Sequence, residues 1–158
     1  MKSLTLALLC FAATSHAGTL DTVRGRAELK DATAKKAVLH LEARKADGPR
    51  GTRTTGNLRL TTKDGVLAAR QIRSLAVTGN TAILQGPAVW TTKVNNKPVR
   101  VKGRVAVTVV DRNDPKDPSD TPDTFQAVFT PETGNGRTIT AMVGKGDIRV
   151  HTRTTGTR

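Results

Sequence analysis

The sequence predicts an all-β protein, built as a single antiparallel up-and-down barrel of about eight or nine strands. The clearest observation is the stretch Val99–Asp111, where Val or Gly recurs at every second position and Arg100, Lys102 and Arg104 stand between them. A period of two is that of a strand with one apolar and one polar face. The second observation is that nearly every link has hairpin length, whereas parallel strands need crossovers of a dozen or more residues.

A sheet of this size protects its edges best by closing on itself. Closure favours the barrel over a two-sheet β-sandwich, which stays the alternative. The inward positions are mostly Ala, Gly, Val and Leu, and small inward residues suit a tight, filled barrel rather than a wide ligand cavity. We therefore expect a packed interior, with Trp90 as a core plug or as a cap at one barrel end.

The same alternation places the other strands along the chain. In the first half it predicts strands at Thr22–Lys30, Lys36–Arg44, Gly56–Leu60 and Val66–Ile72, then a hairpin over Ser74–Leu84 that turns at Gly79-Asn80. In the second half it predicts strands at Ala88–Val94, Val99–Asp111, Phe125–Phe129, Thr138–Val143 and Asp147–Thr152. Gly86-Pro87 is expected to interrupt its strand as a bulge or an edge.

The first 17 residues have the pattern of a secretory signal peptide. A basic start, an apolar run and the small residues before Gly18 predict cleavage after Ala17, although a buried N-terminal helix is the alternative. The domain would then span residues 18–152, followed by a disordered basic tail at 153–158. Cys10 lies in the leader, so the mature chain would have no disulfide and would be secreted or periplasmic.

Charge is the strongest compositional signal, with 26 Lys and Arg against 13 Asp and Glu. Such an excess attracts anionic partners: a nucleic-acid backbone, an acidic polysaccharide or anionic lipid head groups. Few aromatic residues are available for stacking bases, which argues against a single-strand nucleic-acid binder. Beyond the leader no apolar run is long enough for an integral membrane helix.

The predicted polyanion-binding residues share strand faces or crowd one loop. They are Arg24, Arg26, Arg44, Lys45, Arg50, Arg53, Arg100, Lys102 and Arg104. If their strands are neighbours, they form one cationic stripe on the outer wall. The plainer alternative is that these side chains provide solubility and edge protection.

A loop of alternating Asp and Pro follows the strand Val99–Asp111. Its carboxylates recur at every third residue, at Asp111, Asp114, Asp117, Asp120 and Asp123. An extended Pro-rich segment would stack them on one side, where an oxygen-loving ion such as Ca²⁺ could relieve their repulsion. The spacing matches no EF-hand loop, so a solvated acidic loop is the favoured reading and Ca²⁺ the weaker one.

The sequence offers no catalytic constellation and implies no cofactor. A Ser-His-Asp site could be drawn from Ser119, His151 and a loop Asp, but nothing in the sequence places them together. We expect a non-catalytic module that binds anionic surfaces. A self-associating structural subunit of the envelope or extracellular matrix is the second hypothesis, and a small secreted hydrolase is the third.

Several segments resemble a group of small secreted bacterial domains, the post-COAP domains. The segments are Leu75–Gly86, Val105–Asp111, Asp123–Phe125 and Gly146–His151, with a looser match at Gly25–Ala27 and Gly56–Leu58. The resemblance implies an all-β fold and secretion, and it supplies no catalytic residue. The heavy basicity and the Asp- and Pro-rich loop depart from the pattern of that group.

Overall fold

The computed structural model describes residues 18–31, 35–112 and 121–155, so the predicted leader and its cleavage site lie outside the described residues. The described chain forms nine β-strands: β1 Gly18–Asp31, β2 Lys36–Gly48, β3 Gly51–Thr62, β4 Gly65–Ala69, β5 Ser74–Thr78, β6 Thr81–Val94, β7 Lys97–Val110, β8 Thr124–Pro131 and β9 Arg137–Thr155. In these residues there is no helix long and apolar enough to cross a bilayer.

Eight of the strands close into an antiparallel barrel, which confirms the predicted fold and excludes the sandwich. The strand order is β4-β3-β2-β1-β9-β8-β7-β6, and β4 returns to pair with β6 through Leu67 and Trp90. The last strand, β9, inserts between β1 and β8. The remaining strand, β5, pairs with the other half of β6.

Two-residue turns link β2 to β3, β3 to β4, β5 to β6 and β6 to β7. Asn95 and Asn96, which join β6 to β7, have φ angles of 51° and 60°, as a two-residue type I′ hairpin requires. The predicted turn at Gly79-Asn80 joins β5 to β6. Each strand lies beside its predecessor except β5, and β8 does so although the 13 residues 111–123 separate it from β7.

Alternate residues of each strand fill the interior. Phe125, Leu39, Leu60 and Ile148 are fully buried, and the core also includes Trp90, as expected from the sequence. Val105, Val107 and Val109 point inward while Arg100, Lys102 and Arg104 are exposed. The barrel is therefore filled by side chains.

The Gly86-Pro87 pair does not break β6, which is continuous from Thr81 to Val94. It lies where the chain leaves β4 for β5. There Arg73 N donates to Gln85 O, so the main-chain groups of Gln85 face the gap between β4 and β5. The main-chain groups of every second residue in a strand point to the same side, so those of Pro87 face this gap as well. The missing N–H of Pro87 thus costs no ladder bond. A side chain at Gly86 would collide with the Gln71 carbonyl oxygen.

β9 joins two segments that the sequence analysis treated as separate strands. Residues 144–146 lie between them, where the pairing with β1 shifts register next to Glu28. Gly146 has a φ of +97°, and a side chain there would collide with the main chain of Arg26. Residues 153–155, assigned to the tail in the sequence analysis, continue β9 as far as Gly18, the first residue of β1.

Four strands run on past the core. The ends of β3, β2, β1 and β9 form a four-stranded extension, which we call the flap: residues 51–55, 44–48, 18–22 and 151–155. Its inner face continues the inward-facing positions of the barrel but carries Thr, Asp and Lys in place of apolar residues.

Candidate functional site

The outer surface of β3, β2, β1 and β9 concentrates arginine. We call this surface the arginine face; its arginines are Arg53, Arg59, Arg44, Arg24, Arg26, Arg149 and Arg153. All seven point outward, because each pairs across the sheet with another outward residue, and all are exposed. The arginine face is four strands wide and four outward residues long on each strand, so it covers roughly 14 Å by 20 Å.

Two carboxylates lie among these arginines. Arg24 Nη2 is 3.5 Å from Glu42 Oε1, and Arg149 Nε donates to Asp147 Oδ2 at 2.5 Å. The hydrogen bond with Asp147 raises the pKa of Arg149. Seven guanidinium groups against two carboxylates leave a strong positive surface.

The centre of the arginine face is a shallow depression of about 550 Å³. Arg24, Arg26 and Arg149 line it together with His40 and Asn57, and the carboxylates of Glu42 and Asp147 lie at it as well. Guanidinium groups around a concave polar surface can donate to several oxygens of a phosphate or sulfate at once. The depression thus has the donors that an anionic polymer needs.

The structure divides the predicted basic residues into separate groups. Arg24, Arg26, Arg44 and Arg53 lie on the arginine face, and Arg50 lies beside it in the turn between β2 and β3. Arg100, Lys102 and Arg104 lie on β7, and β8 and β9 separate them from β1. The strands are not neighbours, so the single stripe that the sequence allowed does not form.

Lys45 is the exception among these nine residues, because it belongs to the inner face of the flap. Its Nζ is 2.9 Å from Asp47 Oδ2 and 4.0 Å from Asp21 Oδ2. Thr19 and Thr52 also donate to Asp47, while Thr152 donates to Asp21. Lys45 is thus held in an internal ion pair, on the side of the sheet opposite the arginines.

This network lowers the pKa of Asp47 to about 2, first through the Thr52 hydroxyl and then through Lys45. The same hydrogen bond to Asp47 raises the pKa of Lys45. Both residues therefore stay ionised at neutral pH and hold β2 to its neighbours.

The two ends of the aspartate loop have a structural use that the sequence did not reveal. Asp123 is fully buried; its Oδ1 accepts from Arg112 N at 2.8 Å and its Oδ2 from Ile148 N at 3.1 Å. Asp111 Oδ2 accepts from Val150 N at 2.9 Å. β8 does not extend along this part of β9. The two carboxylates therefore accept the main-chain hydrogen bonds of β9 that carbonyl groups of a neighbouring strand would otherwise accept.

The other three predicted Ca²⁺ ligands, Asp114, Asp117 and Asp120, lie outside the described residues. In the described part of the chain, no three His, Cys, Asp or Glu side chains come together as a metal site would require. The Ca²⁺ hypothesis therefore stays a prediction about the whole loop.

The possible hydrolase residues are not assembled within the described chain. Ser119 lies outside it, and His151 is exposed on the outer side of the flap. His40 lies on the arginine face between Arg26 and Arg59. Both histidines thus lie among arginines on the outer surface.

Sequence reasoning missed Arg59, Arg149 and Arg153 as members of the arginine face. A signal was available, since Arg149, His151 and Arg153 alternate within the last strand. Their place beside Arg24 depends on β9 pairing with β1, the first and last strands of the barrel.

Fold and surface together define an antiparallel β-barrel with one arginine-rich wall. Comparison with protein-family models, curated proteins and solved structures finds no match to this chain.

Proposed function

We propose that the protein is a secreted, non-catalytic module that binds anionic polymers through the arginine face. The observation that carries the proposal is the density of arginine on one wall. Seven of the fourteen arginines in the described chain lie on the arginine face, and they have only two carboxylates among them.

The opposite wall supports this reasoning. Three consecutive outward rows across β5, β6, β7, β8 and β9 hold uncharged side chains at every position, and we call this surface the uncharged wall. Its rows are Thr78, Thr81, Val110, Thr124 and Met142; Ala76, Ile83, Thr108, Gln126 and Thr140; and Ser74, Gln85, Ala106, Val128 and Thr138. These three rows are therefore neutral where the arginine face is strongly positive, and the basic residues of β7, Arg100, Lys102 and Arg104, begin only in the next row.

Binding of this kind would be blind to sequence. Guanidinium contacts to phosphate or sulfate position the protein without distinguishing bases, and each contact releases counterions. Affinity should therefore fall steeply with salt, and two DNA duplexes of unrelated sequence should bind equally well. Heparin, as a sulfated polysaccharide, should compete with DNA for the same face.

The test compares two triple variants with the same loss of charge. One is Arg24→Gln with Arg26→Gln and Arg149→Gln; the matched control is Arg100→Gln with Lys102→Gln and Arg104→Gln on β7. Anisotropy with a labelled duplex at 50 mM salt should show at least about tenfold weaker binding for the first variant only. Its salt slope should also fall by about 3, close to 0.9 for each lost contact. Equal weakening in both variants would refute a localised face.

A second function, self-association, is favoured by a separate observation. Among the described residues, no further strand pairs with the outer edges of the flap, at 51–55 of β3 and 151–155 of β9. Open edges are templates for strand pairing. Because β3 and β9 run in opposite directions, the β9 edge of one copy could pair with the β3 edge of the next.

Light scattering without any added partner separates the two functions. Gly56 O accepts from Ile72 N, so the main-chain groups of Gly56 point away from β2. Those of Thr54, two residues earlier in the same strand, point the same way, to the open side of β3. Thr54→Pro removes an edge donor and spares the ladder to β2. Self-association predicts a larger particle that this variant reduces; a monomer at low and moderate salt would exclude it.

A further inference from the structure

The hairpin of β6 and β7 continues past the barrel wall, at the end opposite the flap. The last residue of β6 that pairs with β4 is Thr91, and β8 pairs with β7 only from Gly103 onwards. Among the described residues, no third strand pairs with the strand ends beyond these points. We call residues 92–102 the β6–β7 arm; its tip is the turn at Asn95 and Asn96.

One face of the arm carries valines that have left the core. The inward-facing positions of β6 and β7 continue into the arm as Thr92, Val94, Lys97, Val99 and Val101. Val101 still packs against the core, whereas Val94 is 52% and Val99 40% exposed. Val94 and Val99 are diagonal neighbours on this face, so their side chains form one small apolar patch near the tip.

Cations surround this patch. Four exposed basic side chains belong to the arm: Lys93, Lys97, Arg100 and Lys102. The sequence has no Asp or Glu from residue 65 to residue 110. Asp64 and Glu132 contact the base of the arm, and they do so through main-chain atoms, because Asp64 O accepts from Thr92 Oγ1 and Glu132 N donates to Lys102 O. The arm itself therefore carries four positive charges and no negative one.

An anionic bilayer surface is the partner that uses both features of the arm. Lys and Arg side chains reach lipid phosphates while apolar side chains beside them enter the layer below the head groups. An anionic polymer in water would contact the cations and leave the valines exposed. A second copy of the chain would cover the valines, but it would bring two sets of like charges together.

We propose that the β6–β7 arm docks the protein on anionic bilayer surfaces, with Val94 and Val99 at the acyl boundary and the cations among the phosphates. Val99 is three residues past Asn96, or about 10 Å along a strand. Amphipathic segments at membrane surfaces reach about 5 to 10 Å into the bilayer, so the arm is long enough. The arginine face lies on β3, β2, β1 and β9, so this surface is separate from the one proposed for polymers.

Sedimentation with large vesicles tests the docking. Vesicles of phosphatidylcholine and phosphatidylglycerol in equal parts should bind the full chain at about 100 mM salt. Pure phosphatidylcholine should bind at least about tenfold more weakly, because each cation near an anionic surface contributes about fivefold. No binding to the mixed vesicles at about 5 mM lipid, or equal binding to both kinds, would overturn the proposal.

Val94→Asn with Val99→Asn removes the apolar patch and keeps the charge. This pair should weaken binding to the mixed vesicles at least about tenfold. The matched control is Val38→Asn with Val128→Asn, two valines of the barrel wall that are 43% and 38% exposed, and it should stay within about twofold of wild type. Thermal melting checks that each variant is folded. Should the pair in the arm fail to fold, Val94→Thr should still weaken binding about twofold or more. Equal binding by the arm and control variants would overturn the proposal.

The charge of the arm is tested by Lys93→Gln with Lys97→Gln, which should weaken vesicle binding about tenfold or more. The triple variant at Arg24, Arg26 and Arg149 should keep vesicle binding within about threefold while it loses duplex binding. The reverse result would place lipid binding on the arginine face and overturn the proposal. So would smaller particles in light scattering for the Val94 and Val99 variant without vesicles, because a second copy would then cover the valines. A wild-type chain that binds vesicles but no duplex would refute only the polymer proposal, so the two fail separately.

Discussion

The flap continues four of the eight barrel strands, yet the inner faces of the barrel and the flap have opposite chemistry. At the border between them, one inward position on β1 is Val23 and the next is Asp21. On β2 the corresponding positions are Ala43 and Lys45. The barrel side is held by dispersion and water exclusion, the flap side by carboxylate and hydroxyl contacts. A strand can thus continue past its hydrophobic core if each polar inner residue has a partner.

The largest expected difference follows from the core. Phe125 on β8 is fully buried, whereas Val128 on the same strand is 38% exposed. Phe125→Ala should lower the free energy of unfolding by about 3 to 5 kcal/mol, because it removes buried contacts and leaves a cavity. Val128→Ala should cost less than about 1 kcal/mol. Urea unfolding measures both, and similar losses would mean that the core is not packed as described.

Asp123 should rank next, because it is polar yet buried in the barrel wall. Asp123→Asn replaces one carboxylate oxygen by an NH₂ group, which cannot accept the hydrogen bond of the main-chain N–H that faces it. We therefore expect the free energy of unfolding to fall by about 2 kcal/mol. Asp64→Asn, in an exposed turn, is the control and should stay near wild type. Hydrogen exchange at Ile148 gives a local measure; unchanged protection there would contradict the assigned role of Asp123.

The flap should make the free energy of unfolding depend on pH. The folded-state pKa of Asp47 is about 2, below the value of about 3.9 in an unfolded chain. Its ionised form therefore stabilises the fold fully above about pH 4, and this contribution disappears as the pH falls towards 2. Asp47→Asn should flatten the fall in unfolding free energy between pH 4 and 2. An unchanged slope would show that other carboxylates carry the acid sensitivity.

The smallest effect is expected on the outer surface. The Arg24 and Glu42 side chains are 75% and 61% exposed, and exposed pairs contribute roughly 0 to 1 kcal/mol. A double-mutant cycle with Arg24→Ala and Glu42→Ala should give a coupling below about 0.5 kcal/mol. A coupling above 1 kcal/mol would assign the arginine face a part in stability.

Alternation predicted most strands of the barrel because inward Val, Leu and Ala stand out against outward Arg, Lys and Thr. The flap was missed for the same reason. Lys45, Asp47 and Thr152 are inner residues without apolar character, so the pattern ends where the core ends although the strands continue. Their partners on neighbouring strands explain why the sheet persists.

The candidate sites were less predictable, because they depend on which strands become neighbours. Local sequence identified Arg24 and Arg104 as outward residues, but only the closed barrel shows that they lie on different walls. The role of Asp123 depends on the main chain of Ile148, which lies 25 residues further along. Such an acceptor role leaves no mark in a single sequence.

The pairing of β9 with the whole length of β1, from Gly18 opposite Thr155 to Asp31 opposite Ala141, constrains the order of events during folding. A chain that emerges from the ribosome can form the β1–β4 hairpins early, but one side of β1 must wait for β9, which is far away in the sequence. Closure is thus a step of high contact order, and slow folding is expected. Until β9 arrives, the half-built sheet presents its apolar face to solvent, and any factor that shields nascent chains would act in this interval.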